Sequence, residues 1–309
     1  MRIVVLGSAA GGGFPQWNCN TQFCRLARNG NPSSIPRSQS SIAISSDDRS
    51  FLLLNCSPDL RYQVNQNKAL HPCNGLRGSP IDSVILTNGD VDHIAGLLTM
   101  RESEPFRVYA SDRVQSILTS NSIFNVLNPD YVKRDTFQLS NAFEVKDAQG
   151  ESLGIEVEAF AVPGKVALFL EDASQDDNFG TQEGDTVGLH IRDLRSSASF
   201  YYIPGCAQVP DSLKQRLNGT ELLFFDGTLF RNDEMVKMGV GHKTGERMGH
   251  INMDGEDGSL KAFSDVDINR KIYIHINNTN PVLLENSPER KIVEASGWTI
   301  SHDGMEILL

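Results

Sequence analysis

Long apolar runs are missing from this 309-residue chain. The apolar stretch at the N-terminus covers only residues 3–6 before Gly7. A secretory signal needs roughly 7–15 such residues and a membrane span ~18. No membrane insertion is expected, and the expected location is the cytoplasm. Cysteine is scarce too: Cys19, Cys24, Cys56, Cys73 and Cys206 make five. An odd count excludes complete pairing within the chain and fits a reducing compartment. Positive charge is in deficit, with 28 Lys and Arg against 39 Asp and Glu, a net −11. That balance argues against nucleic acid or an anionic membrane surface as a partner. Exact repeats and low-complexity tracts are absent as well. The remaining composition, 39% apolar and 22% charged, is that of a globular protein. The length suffices for a large core in one big domain or two average ones.

Short apolar runs rich in β-branched and aromatic residues fill the chain. The pattern predicts strands at 2–6, 41–45, 50–56, 83–87, 106–110, 155–162, 187–191, 199–203, 221–225, 271–276 and 298–301. Helices are predicted at 58–66, 92–101, 112–119, 211–217, 259–265 and 288–295, several opening on Asp, Ser or Pro. Strand hairpins come first and strand–helix units follow, and the theme repeats after about residue 150. Such an order implies a mixed α/β sandwich, not a purely parallel sheet. The acidic, polar segment 171–185 reads as an exposed loop.

Gly7, Gly11, Gly12 and Gly13 follow the first strand. No Lys-Ser/Thr follows them, the spacing is not G-x-G-x-x-G, and Pro15 opposes a helix there. The reading left is a tight loop whose backbone approaches something closely. Cys19 and Cys24 are a pair of thiolates able to share zinc, but no second pair follows at finger spacing. The strongest signal is the buried-type strand SVILT running into Asn88-Gly-Asp90-Val-Asp92-His93 and an amphipathic helix. Asp90 or Asp92 could simply cap that helix. Helix capping alone does not ask for the adjoining His.

The spacing resembles the metallo-β-lactamase signature H-x-H-x-D-H, which follows a strand of this kind and carries metal ligands. Asn88 and Asp90 stand at the two leading His positions, and Asp92-His93 is retained. The superfamily's His near residues 160–164 is missing, and Cys206 stands where its metal-bridging Asp would be. Segment 221–228 resembles the next strand of the phosphodiesterase-like branch, and His275 matches the final ligand position. What remains is Asp92, His93 and His275. Two His and one carboxylate form the facial triad of non-haem Fe(II) oxygenases, with positions open for O2 and substrate. Without the bridging carboxylate, zinc hydrolysis is disfavoured.

The segments GSAAGGGFPQWNCN, FDGTLF, GVGHKTGERMGHI and IHINNTNPVLLENSPER closely resemble the pyrroloquinoline quinone (PQQ) biosynthesis protein B family. The SPDLR segment and the terminal DGM fit too. The resemblance implies an α/β fold, a metallo-β-lactamase-like αββα sandwich of two mixed β-sheets flanked by helices, as one domain over 1–309. It implies hydroxylation of the tyrosine ring of a peptide-derived Glu–Tyr precursor by Fe(II) and O2, alongside other PQQ-biosynthesis proteins. The alternatives are a non-catalytic carrier of PQQ or its precursor toward the periplasm, and a zinc hydrolase. Asp92, His93 and His275 would hold the iron, with Asp90 and Cys206 nearby, and zinc can replace iron on purification. Asp226 and His250 are the expected proton-handling groups. Lys243 and Arg247 are expected to pair with substrate carboxylates, a role also open to Arg61. The family's first loop holds a structural zinc on Cys-x-Cys-x-x-Cys, and Thr21 at the middle position leaves Cys19 and Cys24. Asn277, Asn278 and Asn280 are expected to shape the turn behind His275.

Overall fold

The computed structural model describes residues 1–73, 75–172, 174–175 and 179–309. The expected exposed loop at 171–185 thus lies partly outside the described residues. The first half of the chain supplies β1 Arg2–Gly7, β2 Ser41–Ser45, β3 Phe51–Leu54, β4 Ile81–Ile85, β5 Phe106–Ala110 and β6 Val132–Thr136. The second half supplies β7 Ala142–Lys146, β8 Ser152–Ala161, β9 Val187–Asp193, β10 Ser199–Ile203, β11 Thr220–Asp226, β12 Ile268–Ile274, β13 Trp298–Ile300 and β14 Glu306–Leu308. They form two seven-stranded sheets, ordered β14-β1-β2-β3-β4-β5-β6 and β13-β12-β11-β10-β9-β8-β7. Each sheet is antiparallel on one side and parallel on the other: β3 to β6 run parallel in one, β10 to β13 in the other. The repeated theme in the sequence is this repeated half.

Alternation along the strands explains the layering. On β11, Leu222 and Phe224 face the other sheet, meeting a core that includes Ile3 and Val5 of β1. Leu223 and Phe225 point outward and are covered by α1 Gln22–Arg28, α5 Asp211–Leu217 and α9 Pro288–Ala295. Val4 and Leu6 of β1 face outward on the opposite side. There α2 Leu60–Gln66, α3 Val91–Ile94 and α4 Asp112–Ser120 cover them. The result is the expected helix–sheet–sheet–helix sandwich. Ser111 caps α4 by accepting from Val114 N, and Ser287 caps α9 ahead of Pro288. Three single-turn helices, α6 Glu234–Lys237, α7 Gly245–Met248 and α8 Ser259–Ala262, line the second half. Among the described residues, no helix is long and apolar enough to cross a membrane.

Two differences from the sequence reading matter for the site. The helix expected at 92–101 is α3 followed by a 3-10 turn, Ala95–Met100. The strand expected at 271–276 ends at Ile274, which leaves His275 outside it with φ +61°. A non-glycine residue in the left-handed region is uncommon and persists only where its surroundings hold it there.

Candidate metal centre

Parallel strands place their carboxyl ends together, and ligands gather there in open α/β sheets. Here the ends of β4, β11 and β12 bring residues 88–93, 226–228 and 275 to one cleft of about 430 Å3. Asn88 directs the first group. Its Oδ1 accepts from Asp90 N at 3.0 Å and from His93 Nδ1 at 2.7 Å. With Nδ1 so engaged, His93 Nε2 carries a lone pair. That atom is buried and has no hydrogen-bond partner among the described residues. It lies 3.7 Å from Asp92 Oδ2, and His275 Nε2 lies 3.0 Å from the same oxygen. Burial pushes the His93 imidazole down to about 4, so the ring is neutral near pH 7, the form that ligates metals. Burial works against the Asp92 carboxylate, but His93 and His275 hold it well below the usual range.

A second group surrounds Asp226. Its Oδ2 accepts from Cys206 N at 2.8 Å and His250 Nδ1 at 2.6 Å, and its Oδ1 from Thr228 N at 3.0 Å and Thr228 Oγ1 at 2.6 Å. Burial pushes the Asp226 carboxyl up, but His250 outweighs it and the group stays below its ordinary value. His250 is raised in turn: burial lowers it, and the Asp226 charge more than compensates. Both trios, Asp92–His93–His275 and Asp226–His250–His275, have ligand atoms within 4.8 Å of one another. Their hydrogen bonding separates them. Every acceptor direction of Asp226 is filled by a donor, whereas the first trio keeps a buried nitrogen with nothing to bind. A metal ion fits the first trio. His275 joins the two, because its Nδ1 sits 2.9 Å from Thr228 Oγ1 while its Nε2 faces Asp92.

The other expected residues fall around this core. Asp90 lines the cleft, where its Oδ1 accepts from Leu168 N at 3.1 Å. Burial and then the charge of Asp92 push its carboxyl up to about 6. It belongs to neither trio. Cys206 presents its backbone N–H to the site, while its buried Sγ donates to Gln208 O at 3.0 Å. The thiol therefore does not replace the bridging carboxylate of two-metal enzymes. Gly11 of the glycine loop lines the cleft, and a Cβ there would sit 3.4 Å from Asp92 Cγ. The close backbone approach the sequence suggested is at Gly7 instead, where a Cβ would lie 2.1 Å from Gln39 O. The asparagines do shape the turn: Asn277 N donates to Thr228 O at 3.0 Å and Asn280 Nδ2 to Gly227 O at 3.0 Å. Arg61 lies away from the cleft, on α2 beside the 99–106 segment.

Lys243 lines the cleft, and both it and Arg247 pair with Glu171, at 3.5 and 2.8 Å. Sequence reasoning missed Glu171, Lys165, Asn88 and Thr228. Lys165 follows the VPG segment where the superfamily's His is missing, a position that invited inspection. A wider groove of about 940 Å3 opens on the far side of His250, rimmed by Asp254, Asp257 and Asp265. Asp92, His93 and His275 face the smaller cleft instead.

Cys19 and Cys24 do lie together, and all five cysteines are free. Burial raises the Cys19 thiol, but contacts with Thr21, Cys24 and Asn278 leave it below its ordinary value. Thr21 Oγ1 is 3.2 Å from Cys19 Sγ and caps α1, and Asn278 Nδ2 is 3.6 Å from Cys24 Sγ. Among the described residues, no third His, Cys, Asp or Glu ligand joins the two sulfurs. A structural zinc here thus has half of its usual ligand set.

Comparison with known proteins follows the same lines. The Beta-lactamase superfamily domain family matches residues 51–276. Coenzyme PQQ synthesis protein B of Bradyrhizobium diazoefficiens is 51% identical, with 100% of both chains covered. The crystal structure of Zn(2+)-bound PqqB from Methylobacterium extorquens superposes with TM-score 0.94 at 50% identity, over 100% of each chain. A diphosphatase of the PhnP family, 18% identical, shares the fold with TM-score 0.68 over 100% of this chain and 97% of its own. By full-length identity and by the architecture of its sheets and cleft, the chain belongs to the coenzyme PQQ synthesis protein B family within the beta-lactamase superfamily.

Proposed function

We propose that this protein, as one domain of residues 1–309, acts in the cytoplasm in PQQ biosynthesis as a non-haem Fe(II) oxygenase. It hydroxylates the tyrosine ring of a peptide-derived Glu–Tyr precursor. The observation that carries this reading is the trio of Asp92, His93 and His275, with His93 Nε2 buried and unpaired among the described residues at the wall of an open cleft. Two imidazoles and one carboxylate suit Fe(II) and leave coordination positions for O2 and substrate. Bound there, iron would supply the activation of O2 for attack on an electron-rich ring. One oxygen atom enters the ring and the other leaves as water, so an external two-electron reductant completes the balance.

The chain's own residues do the rest. Met235, Met248 and Leu168 line the cleft and offer a soft apolar surface to an aromatic ring. Lys243 and Arg247 meet substrate carboxylates. Asp226 occupies His250 Nδ1, so Nε2 is the atom left to exchange a proton with the substrate. The relative from Methylobacterium extorquens was crystallised with Zn2+. The Irving–Williams order favours zinc over Fe(II) at such sites whichever metal works in the cell.

The test is reconstitution with Fe(II) without air, addition of a tyrosine-containing precursor and a reductant, then admission of O2. Ring-oxygenated product by mass spectrometry, lost in His93→Ala, is expected. Tight PQQ binding without O2 consumption would point to a carrier, and turnover with zinc in the absence of O2 to a hydrolase. Either outcome would sink the oxygenase reading.

A further inference from the structure

Three cations, Lys165 and Lys243 in the cleft and Arg247 in the adjoining groove, converge on one carboxylate of the chain itself. Glu171 follows the 3-10 turn Leu168–Leu170. It pairs with Lys165 Nζ, with Arg247 Nη2 at 2.8 Å and with Lys243 Nζ at 3.5 Å. Lys165, Glu171 and Lys243 line the cavity that holds Asp92, His93 and His275. Among the described residues, three positive charges pair with one negative, so the cluster keeps a surplus of two. The surplus is visible at one atom. Arg247 Nη1 is buried with no hydrogen-bond partner among the described residues, while the guanidinium lies 3.5 Å over the Phe179 ring. A donor fixed by stacking and left unpaired is prepared for an acceptor. Burial pushes Lys165 down, and despite some burial the cations hold Glu171 at about 2. A planar side-chain carboxylate on a short stem also matches the shape of an amino-acid carboxylate.

We propose that Lys165, Lys243 and Arg247 form the carboxylate subsite of this cleft, and that Glu171 occupies it as an internal competitor which a substrate carboxylate displaces. The proposal rests on the substrate class named under Proposed function and adds a third cation and a built-in competitor. The ligand class is a compact di- or tricarboxylate. Affinity for it is reduced by the fraction of time Glu171 leaves the subsite free.

The experiment titrates propane-1,2,3-tricarboxylate into the zinc-loaded full-length protein by calorimetry. Occupation by Glu171 for about four-fifths of the time makes Glu171→Gln bind about five-fold tighter. Lys243→Gln and Arg247→Gln are expected to bind about ten-fold more weakly, in line with loss of a charge-assisted pair. If Glu171→Gln fails to fold, Glu171→Asp, with shorter reach, should show a smaller gain in the same direction. Unchanged affinity in the folded Glu171 variants, or no binding at all, overturns the proposal. The probe carries no phenol. Tricarboxylate binding without ring oxidation would therefore sink the oxygenase reading alone, and ring oxidation without these affinity changes would sink the subsite alone.

Discussion

Thr228 Oγ1 has one proton, and it meets Asp226 Oδ1 at 2.6 Å. The proton goes to the carboxylate, and the oxygen's lone pairs accept from His275 Nδ1 at 2.9 Å. This fixes the His275 tautomer with its Nε2 lone pair toward Asp92. Groups that orient a metal-binding imidazole in this way contribute about 10–100-fold to metal affinity. Thr228→Val, close in size, should weaken zinc binding by that factor in competition with a chromophoric chelator. Thr228→Ser should restore it, which a packing defect would not. Equal affinity in Thr228→Val would remove the hydroxyl from the argument. Asp92, His93 and His275, which the fold brings together, could be picked out because Asp92 and His93 sit at motif spacing and His275 matches the superfamily's final ligand position. Thr228 and Asn88 could not, because neither residue type announces that its hydroxyl or amide will meet a ring nitrogen. Glu171 was hidden differently, inside an acidic stretch read as an exposed loop.

At the scale of elements, charge decided what could be read. The central strands were recognisable as β-branched apolar runs. Three sheet edges, β6, β7 and β14, were not. They carry Lys133, Arg134 and Asp135, Glu144 and Lys146, and Glu306, as half-exposed edges do to discourage further pairing. The break of the expected 92–101 helix has a local cause at Gly96. Its N–H donates to Cys56 O at 2.9 Å, and Cys56 N donates to His93 O at 2.7 Å. A Cβ on Gly96 would lie 2.1 Å from Ser57 O, so α3 and its 3-10 extension sit directly on that backbone. Gly96→Ala should lower stability to urea by about 1–3 kcal/mol, the cost of overpacking. A change below roughly 0.5 kcal/mol, as at an ordinary surface site, would show the seat to be soft. The opposite side of the cleft is tied by Glu234 of α6. Its carboxylate accepts from Phe230 N and Arg231 N at 2.8 and 3.0 Å and from Thr279 Oγ1 at 2.7 Å. Burial nevertheless pushes it up to about 7 from 4.5. A folded-state value above the unfolded one means that the unfolded chain loses this proton first as pH rises. The group's stabilising contribution is full below about 4.5 and is lost by about 7. Glu234→Gln keeps an acceptor oxygen and removes the titration. Wild type should therefore lose on the order of 2 kcal/mol relative to the variant between pH 4.5 and 7 in urea unfolding. A pH-independent difference would show that the donors around the carboxylate cancel the effect of burial.

Across the whole molecule, the candidate metal centre is a joint between the two sheets. Asp92 and His93 follow β4 in one sheet, and His275 follows β12 in the other. Ser8 and Ala10, beyond β1, reinforce that joint: Ile276 N donates to Ser8 O at 2.9 Å and Ala10 N to Ile276 O at 2.9 Å. Separating the sheets would tear the ligand set apart, so an ion held there binds the folded chain and not the unfolded one. Such binding stabilises by about 2.7 kcal/mol when free metal is 100 times Kd. For a domain of this size that is a rise in Tm of roughly 5–11 °C, since each kcal/mol moves a large domain by about 2–4 °C. Thermal unfolding with added zinc should show that rise in wild type and lose it in His93→Ala. Cys24→Ser provides the control. The cysteine pair, Cys19 in the first loop and Cys24 in α1, joins no strand of one sheet to a strand of the other, so its loss should leave most of the shift in place. A rise that persists in His93→Ala and vanishes in Cys24→Ser would move the metal from the cleft to the loop, and the joint between the sheets would then rest on side-chain packing and hydrogen bonds alone.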